Sequence, residues 1–265
     1  MASRLCAKRR HPFMDHDKLL NLGTELGRGL MLCGAEIYRV EESVTRLLTA
    51  YGVEPEVFAL PTCLIVSIAV PDGPPITRMC RIPTHGTNIE LLEQYNDLCR
   101  NLCRTPLPVD EARARLDRLA TVTPYHPVSV ILLGYAATAA FFTLFFGGGL
   151  WDWLAAALCG VAVGLCVLHG RRIIGPNAFL RTALAACVAS GSALILTALG
   201  LGRDSDCIII GTLMLLVPGV SLTNAMREIM AGDIFSGMSR SAEAILTAAA
   251  IALGTALAML VSGLY

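Results

Sequence analysis

The stretch CIIIGTLMLLVPGVSLTNAMREIMAGDIFSGMSRSAE, residues 207–243, decides how the second half of the chain is read. It opens on an apolar run, Ile208 to Val217, and then meets Pro218-Gly219, which removes a backbone donor and admits positive φ. A membrane helix is expected to break there. At 1.5 Å per residue, the run from Ile208 to Pro218 rises about 16 Å, roughly half of a ~30 Å hydrocarbon core. Beyond the break come Ser221, Thr223, Asn224, Arg227 and Glu228. Lipid rejects such groups, so they are expected to face protein or a water-filled cavity. A broken membrane helix beside polar side chains is how binding sites are built within a bilayer. A second reading stays open: Pro218-Gly219 simply ends a helix at the interface, and Thr223 to Ile234 is a polar segment outside the membrane.

Working outward, the charges divide the chain. Residues 1–126 carry 30 of the 42 Lys, Arg, Asp and Glu, and residues 127–265 carry only twelve, each half balanced in sign. With 54% hydrophobic residues and a mean hydropathy of +0.60, the chain is too apolar for an ordinary soluble protein. The first half therefore reads as soluble and the second as membrane. Neither half has the basic excess that would indicate a nucleic-acid partner. The N-terminal MASRLCAKRRHPF is basic with no apolar run behind it, which reads as neither signal peptide nor lipidation signal. The ten cysteines read as reduced, since Cys159, Cys166, Cys187 and Cys207 fall in or beside membrane segments. Cys99 and Cys103 lie one helical turn apart, but no CxxC or HxxxH completes a set of ligands, so neither metal nor cofactor is expected.

In the soluble half, after a basic tail over 1–14, Leu19, Leu22, Leu26, Leu30 and Cys33 recur at helical steps over Asp15 to Cys33. Gly34 interrupts them. The spacing predicts a second helix over Ala35 to Tyr51, with Ile37, Val40, Val44, Leu47 and Tyr51 buried and Glu36, Arg39, Glu42, Ser43 and Arg46 turned away. Strands are expected at Val53–Leu60, Thr62–Val70 and Ile76–Ile82, the middle one interior because it is apolar on both faces. Asn88 is expected to cap a helix to Cys103, and Asp110 another to Leu119. The whole is an α+β unit over 15–120, followed by a linker over 121–127 and a membrane domain over 128–265.

Five transmembrane helices are predicted: Val128–Phe146, Leu150–Leu168, Ala178–Leu201, Cys207–Ile229 broken at Pro218-Gly219, and Ala244–Leu264. Arg113, Arg115 and Arg118 precede the first, Arg171 and Arg172 follow the second, and Arg227 and Arg240 precede the fifth. The positive-inside rule then places the α+β domain in the cytosol and Tyr265 outside, with Trp151 and Trp153 at the outer interface. Gly160 and Gly164 form a GxxxG, expected to give a tight bundle or a partner surface.

Enzymatic patterns are weak. Gly219 to Thr223 lacks the last glycine of a nucleophile elbow, and Gly27, Gly29 and Gly34 are not spaced as a dinucleotide fingerprint. The better constellation is Gly34 to Ser43, GAEIYRVEES, in which Glu36, Arg39 and Ser43 share a helical face and Glu42 pairs with Arg46. That face is either a solvated surface with routine ion pairs or a docking and gating face. Two other classes stay open, a membrane-tethered sensor of a metabolite and a membrane-bound hydrolase-like enzyme.

The stretch LCGAEIYRVEESVTRLLTAYG, followed by short strands and far downstream by LVPGVSLTNAMREIMAGDIFSGMSR, resembles the N-terminal half of the threonine/serine exporter family. The likeness runs from Asp15 to Tyr265. Full-length members resemble two such halves fused; in ending after five segments this chain is similar to the larger subunit of the two-component succinate exporters. The resemblance implies efflux of a small carboxylate or amino acid, anionic or zwitterionic, driven by the proton-motive force. The second half would come from a small membrane partner subunit or from a homo-oligomer. The candidate substrate contacts are Pro218, Gly219, Ser221, Thr223, Asn224 and Arg227. The candidate coupling or gating residues are Glu228, Asp233, Glu36, Arg39, Glu42 and Ser43.

Overall fold

The computed structural model describes residues 15–71, 73–83, 86–121 and 126–263, and it divides into two compact units. Of the described residues, the first comprises those from 15 to 121 with 224–239, the second 126–223 with 240–263. Segment 224–239, expected with the membrane half, thus packs with the first unit. The basic tail over 1–14, linker positions 122–125 and Tyr265 lie outside the described residues.

In the first unit, α1 (His16–Leu32) begins under an Asp15 cap whose carboxylate accepts from the amides of Asp17 and Lys18, each at 3.2 Å. Its apolar stripe meets α2 (Ile37–Ala50), and between them Gly34 takes φ +91°. A side chain at Gly34 would be strained by that φ and would also strike the Gly86 carbonyl, 2.6 Å from where a Cβ would sit. The strands β1 (Pro55–Leu60), β2 (Cys63–Ile68) and β3 (Ile76–Arg81) form an antiparallel sheet in chain order. β2 is central, as its composition requires, yet only Leu64, Val66 and Ile68 are fully buried, while Cys63, Ile65 and Ser67 form a half-covered second face.

Helix α3 (Ile89–Arg104) is capped by Asn88, which accepts from the Leu91 amide at 3.0 Å. Helix α4 (Val109–Thr121) starts one residue before the expected cap, so Asp110 lies in its first turn. The core joins Leu19, Leu22, Leu26 and Leu30 to Ile37, Val40, Val44 and Leu47, the inner face of β2, and Tyr95 and Leu102. Each fully buried aliphatic side chain contributes about 1.5–3 kcal/mol.

In the chain order of the second unit, α5 (Val128–Phe145) and α6 (Leu150–Ile174) pack closely because Gly160 and Gly164 lie against Tyr135. The GxxxG is therefore used inside the bundle. Helix α7 (Ala178–Ala198) follows, then α8 (Ser205–Leu213), α9 (Gly219–Met230) and α10 (Ile234–Ser262). The chain of α9 enters the first unit at Asn224 and that of α10 returns to the second at Arg240. Ala139, Ala155, Ala156, Cys159, Ala193, Ile208 and Ile209 make the core. Small side chains replace bulky ones because membrane helices associate by close backbone approach.

Among the described residues four helices are long and apolar enough to cross a membrane: α5, the Leu150–Gly170 part of α6, α7 and α10. The chain is a multi-pass membrane protein. The expected count of five is not reached, because Cys207–Ile229 falls into α8 and α9, each too short to cross alone. The last helix begins ten residues before the expected Ala244, since Ser236, Ser239, Arg240 and Glu243 interrupt the apolar run without interrupting the helical backbone.

Candidate functional site

Glu36 is the hinge of the first unit's polar site. It was expected to turn away on the face of a helix, but α2 starts at Ile37, so Glu36 is its N-cap, extended at φ −67° and ψ 141° and only 7% exposed. An ion so buried needs opposite charge. Arg39 supplies one contact, Nε to Oε2 at 3.3 Å, and the Arg227 guanidinium pairs with Oε1. Arg39 Nε also donates to the Tyr38 hydroxyl oxygen at 3.2 Å.

The residue after Arg227 completes the arrangement. Glu36 makes no capping bond with its side chain, which leaves the first amides of α2 to find other acceptors. Glu228, fully buried, accepts from the Ile37 amide through Oε1 at 3.2 Å. Its carboxylate thus sits at the positive end of α2, where the aligned peptide dipoles favour an anion. Two consecutive residues of α9 therefore grip the start of α2, one by charge and one by capping.

Arg39 and Ser43 line a narrow cleft with Glu36, Leu30, Ala35, Leu92 and Asn96, of about 20 Å³. That is room for a single water. Glu42 and Arg46 pair at 2.5 Å in the open, as the i, i+4 spacing predicts, and take no part in the cleft.

Asp233 follows a helix end of defined geometry. Gly232, at φ +100°, allows the Asp233 amide to reach back to the Glu228 carbonyl at 2.9 Å and the Gly232 amide to the Ile229 carbonyl at 3.1 Å. The charge of Asp233 acts on Glu41 of α2, a half-buried carboxylate that accepts from the Ala59 amide at 2.7 Å. Burial above all, and Asp233 after it, push the Glu41 carboxyl above its usual range, with the Ala59 amide opposing. Sequence reasoning passed over Glu41. Its signal was its place between Ile37 and Val44 at i+4 and i−3, inside the buried stripe.

In the second unit the helical ladder stops at Leu213. The amides of Leu215 and Leu216 bond the carbonyls of Thr212 and Leu213 at 3.2 and 2.9 Å, and the Gly219 amide bonds the Val217 carbonyl at 2.9 Å. These are tight turns in place of i→i−4 bonds. Helix α9 restarts at Gly219, with Pro218 half-buried, Ser221 half-buried and Thr223 exposed. The Thr223 hydroxyl donates to the Gly219 carbonyl at 2.9 Å, so its proton is held by its own helix and only its lone pairs face outward. Asn224, which belongs to the first unit, is half-buried.

A second buried carboxylate was also missed. Asp152 of α6, 3% exposed, accepts from the amides of Gly149, Arg203 and Asp204 at 2.9, 2.6 and 3.0 Å. It ties the α5–α6 turn to the α7–α8 turn, a role that no local spacing reveals.

The two stretches that meet here, Gly34 to Ser43 and Asn224 to Asp233, both fall within a family match. The model of the ThrE family, described as "Putative threonine/serine exporter", matches residues 21–262. The chain belongs to the ThrE threonine/serine exporter family. Among its relatives, a probable threonine/serine exporter of Mycobacterium tuberculosis is 23% identical over 89% of this chain and 45% of that protein. Pheromone-regulated membrane protein 10 of Saccharomyces cerevisiae is 26% identical over 83% of this chain and 29% of that protein. The chain thus spans less than half the length of these two curated relatives. A probable succinate transporter subunit, YjjP of Klebsiella aerogenes, is 27% identical over 89% of this chain and 90% of that protein. No solved structure matches the chain. Membrane helices and family together make this chain a multi-pass membrane protein of the ThrE family.

Proposed function

We propose that this ThrE-family chain is one half of a secondary efflux system for small carboxylates or amino acids, driven by the proton-motive force and completed by a small membrane partner subunit. The observation that carries the reading is the interruption between Leu213 and Gly219, where the apolar α8 gives way to a helix bearing Ser221, Thr223 and Asn224. On this reading α8 and α9 cross the membrane together as a fifth, broken span. The first unit lies in the cytosol and the C-terminus outside, which the Arg residues flanking the spans favour. An odd number of crossings lets a partner half of like fold sit inverted, the arrangement that creates a site where two repeats meet.

The amides at the start of α9 would receive the substrate carboxylate, since the first amides of a helix have no acceptor within it and its dipole attracts anions. Pro218 and Gly219 open the backbone there, and Ser221, Thr223 and Asn224 would supply hydrogen bonds. Arg227, held by Glu36, acts as a gating charge, and Glu228 with Asp233 carries the coupling. Arg39 and Ser43 line the cleft beside Glu36, and Glu42 serves the outer docking face.

Uptake of labelled succinate and of labelled threonine into inverted vesicles, with the partner subunit coexpressed, tests the proposal. Asn224→Ala and Arg227→Ala are expected to lose most of the transport at unchanged expression. Wild-type transport in both removes the site from this stretch, and transport that survives an uncoupler removes the proton-motive force.

A further inference from the structure

We propose that the first unit carries a second small-molecule site, a cavity between α1, α3 and α4 that takes a zwitterion of amino-acid size. The three helices pack around a space of about 210 Å³. That is smaller than the roughly 300–1,000 Å³ of pockets for drug-sized ligands, so nucleotides are too large and a small metabolite fits. Leu32, Leu91 and Leu116 give it apolar walls, and Glu25, Arg28 and Asp117 stand at its rim.

The Tyr95 hydroxyl marks it as a site. Tyr95 lines the cavity, is only 4% exposed, and has no hydrogen-bond partner among the described residues. The ring is enclosed while the hydroxyl keeps access to solvent at the cavity, which leaves it free to donate to whatever occupies that space. Burial above all raises the pKa of this hydroxyl, with Cys33, Glu25 and Asp117 adding to it and Arg28 opposing, so it stays a neutral donor. Gly29 sets the position of the ring: a Cβ there would lie 2.5 Å from ring carbons and 2.9 Å from the hydroxyl oxygen. Any larger residue at 29 would push the phenol away.

The rim selects the charge type. Arg28 pairs with Glu25 at 3.1 Å, and Asp117 pairs with Arg113 at 2.9 Å, so charges of both signs are presented in balance and partly open to solvent. The Arg28 fork matches a carboxylate. Glu25 and Asp117 suit an ammonium, and they would repel the second carboxylate of a dicarboxylic acid. The walls and the Tyr95 hydroxyl then receive a short side chain bearing an acceptor.

The proposal is independent of the α8–α9 reading, and its test separates the two. Calorimetric titration in detergent of the full-length Gly219→Ala protein, whose added methyl crowds a carboxylate on the first amides of α9, uses glycine, L-serine, L-threonine and succinate as probes. At least one amino acid is expected to bind saturably and more tightly than succinate. In that background Tyr95→Phe, which keeps the ring packing, and Arg28→Gln are each expected to weaken binding at least tenfold. Should Arg28→Gln fail to fold, Arg28→Lys keeps the charge and loses the fork, and is expected to weaken binding likewise. The proposal is overturned if no amino acid binds saturably, if succinate binds more tightly, or if either cavity variant binds as tightly as its Gly219→Ala parent.

Discussion

Glu36 and Arg227, 191 residues apart in sequence, form an ion pair at the start of α2, with Glu36 almost wholly buried and Arg227 about half exposed. Glu228 caps the same helix end from the neighbouring position. The charge and the cap are adjacent in α9, so the segment is held in one register against α2. Breaking a buried pair costs about 3–5 kcal/mol, and exposed pairs are worth ~0–1, so the half-exposed Arg227 places this one at about 1–2 kcal/mol. A double-mutant cycle with Glu36→Gln and Arg227→Gln, read by chemical denaturation in detergent, is expected to give a coupling energy of that size. Additive effects would mean that the pair does not hold the segment.

Gly219 separates a structural from a ligand-binding role for the helix start. A Cβ at this position meets nothing within 4 Å, so Gly219→Ala is expected to fold and express as wild type. A methyl group there would still crowd a carboxylate seated on the first amides of α9. A hydrogen bond to a charged group is worth about 1.5–3 kcal/mol, so transport in vesicles is expected to fall about tenfold or more. Unchanged transport in Gly219→Ala would take the substrate away from these amides.

Glu41 gives the first unit a pH dependence of unusual sign. Burial and Asp233 raise its pKa in the folded protein above the ordinary 4.5, the Ala59 amide opposing. The folded state therefore holds the proton more tightly than the unfolded chain. The stabilising contribution is complete below 4.5 and is lost as pH rises through the raised value. Glu41→Gln, which keeps an acceptor for the Ala59 amide and carries no charge, is expected to gain in unfolding midpoint relative to wild type as pH is raised from about 5 to about 7. A difference that stays flat over that range, or shrinks, would show that Glu41 is not strained by its charge.

Local patterns made most of the first unit legible. Leucines at steps of three and four defined α1, and an apolar β2 between two amphipathic strands had to be central. Legibility failed where a distant partner decides the outcome. Glu36 looked solvated because its burial depends on Arg227, far along the chain, and on α2 beginning two residues later than the expected Ala35. Segment 224–239 looked like membrane or its border, but its packing follows from the caps it offers α2. Of the candidate residues, Glu36, Arg39, Arg227 and Glu228 come together, Asp233 stands by Glu41, and Glu42 stands apart.

Glycines of the second unit test the packing of the bundle with an internal control. On α10, Gly254 faces the backbone of α7: a Cβ there would collide with the Ala183 carbonyl oxygen and lie 2.9 Å from the Ala186 methyl. On α6, a Cβ at Gly160 would lie 2.5 Å from the Tyr135 carbonyl oxygen and 3.0 Å from the Ala136 Cα. Backbone atoms cannot swing aside, so each helix pair would have to separate, at a cost of about 1–3 kcal/mol. Gly191, on α7, has nothing within 4 Å of its Cβ position. There alanine only gains helix propensity, up to about 1 kcal/mol. Thermal unfolding in detergent is expected to show lowered midpoints for Gly254→Ala and Gly160→Ala, and an equal or raised one for Gly191→Ala. Equal midpoints in all three would mean that α6 and α10 do not approach their neighbours through these glycines.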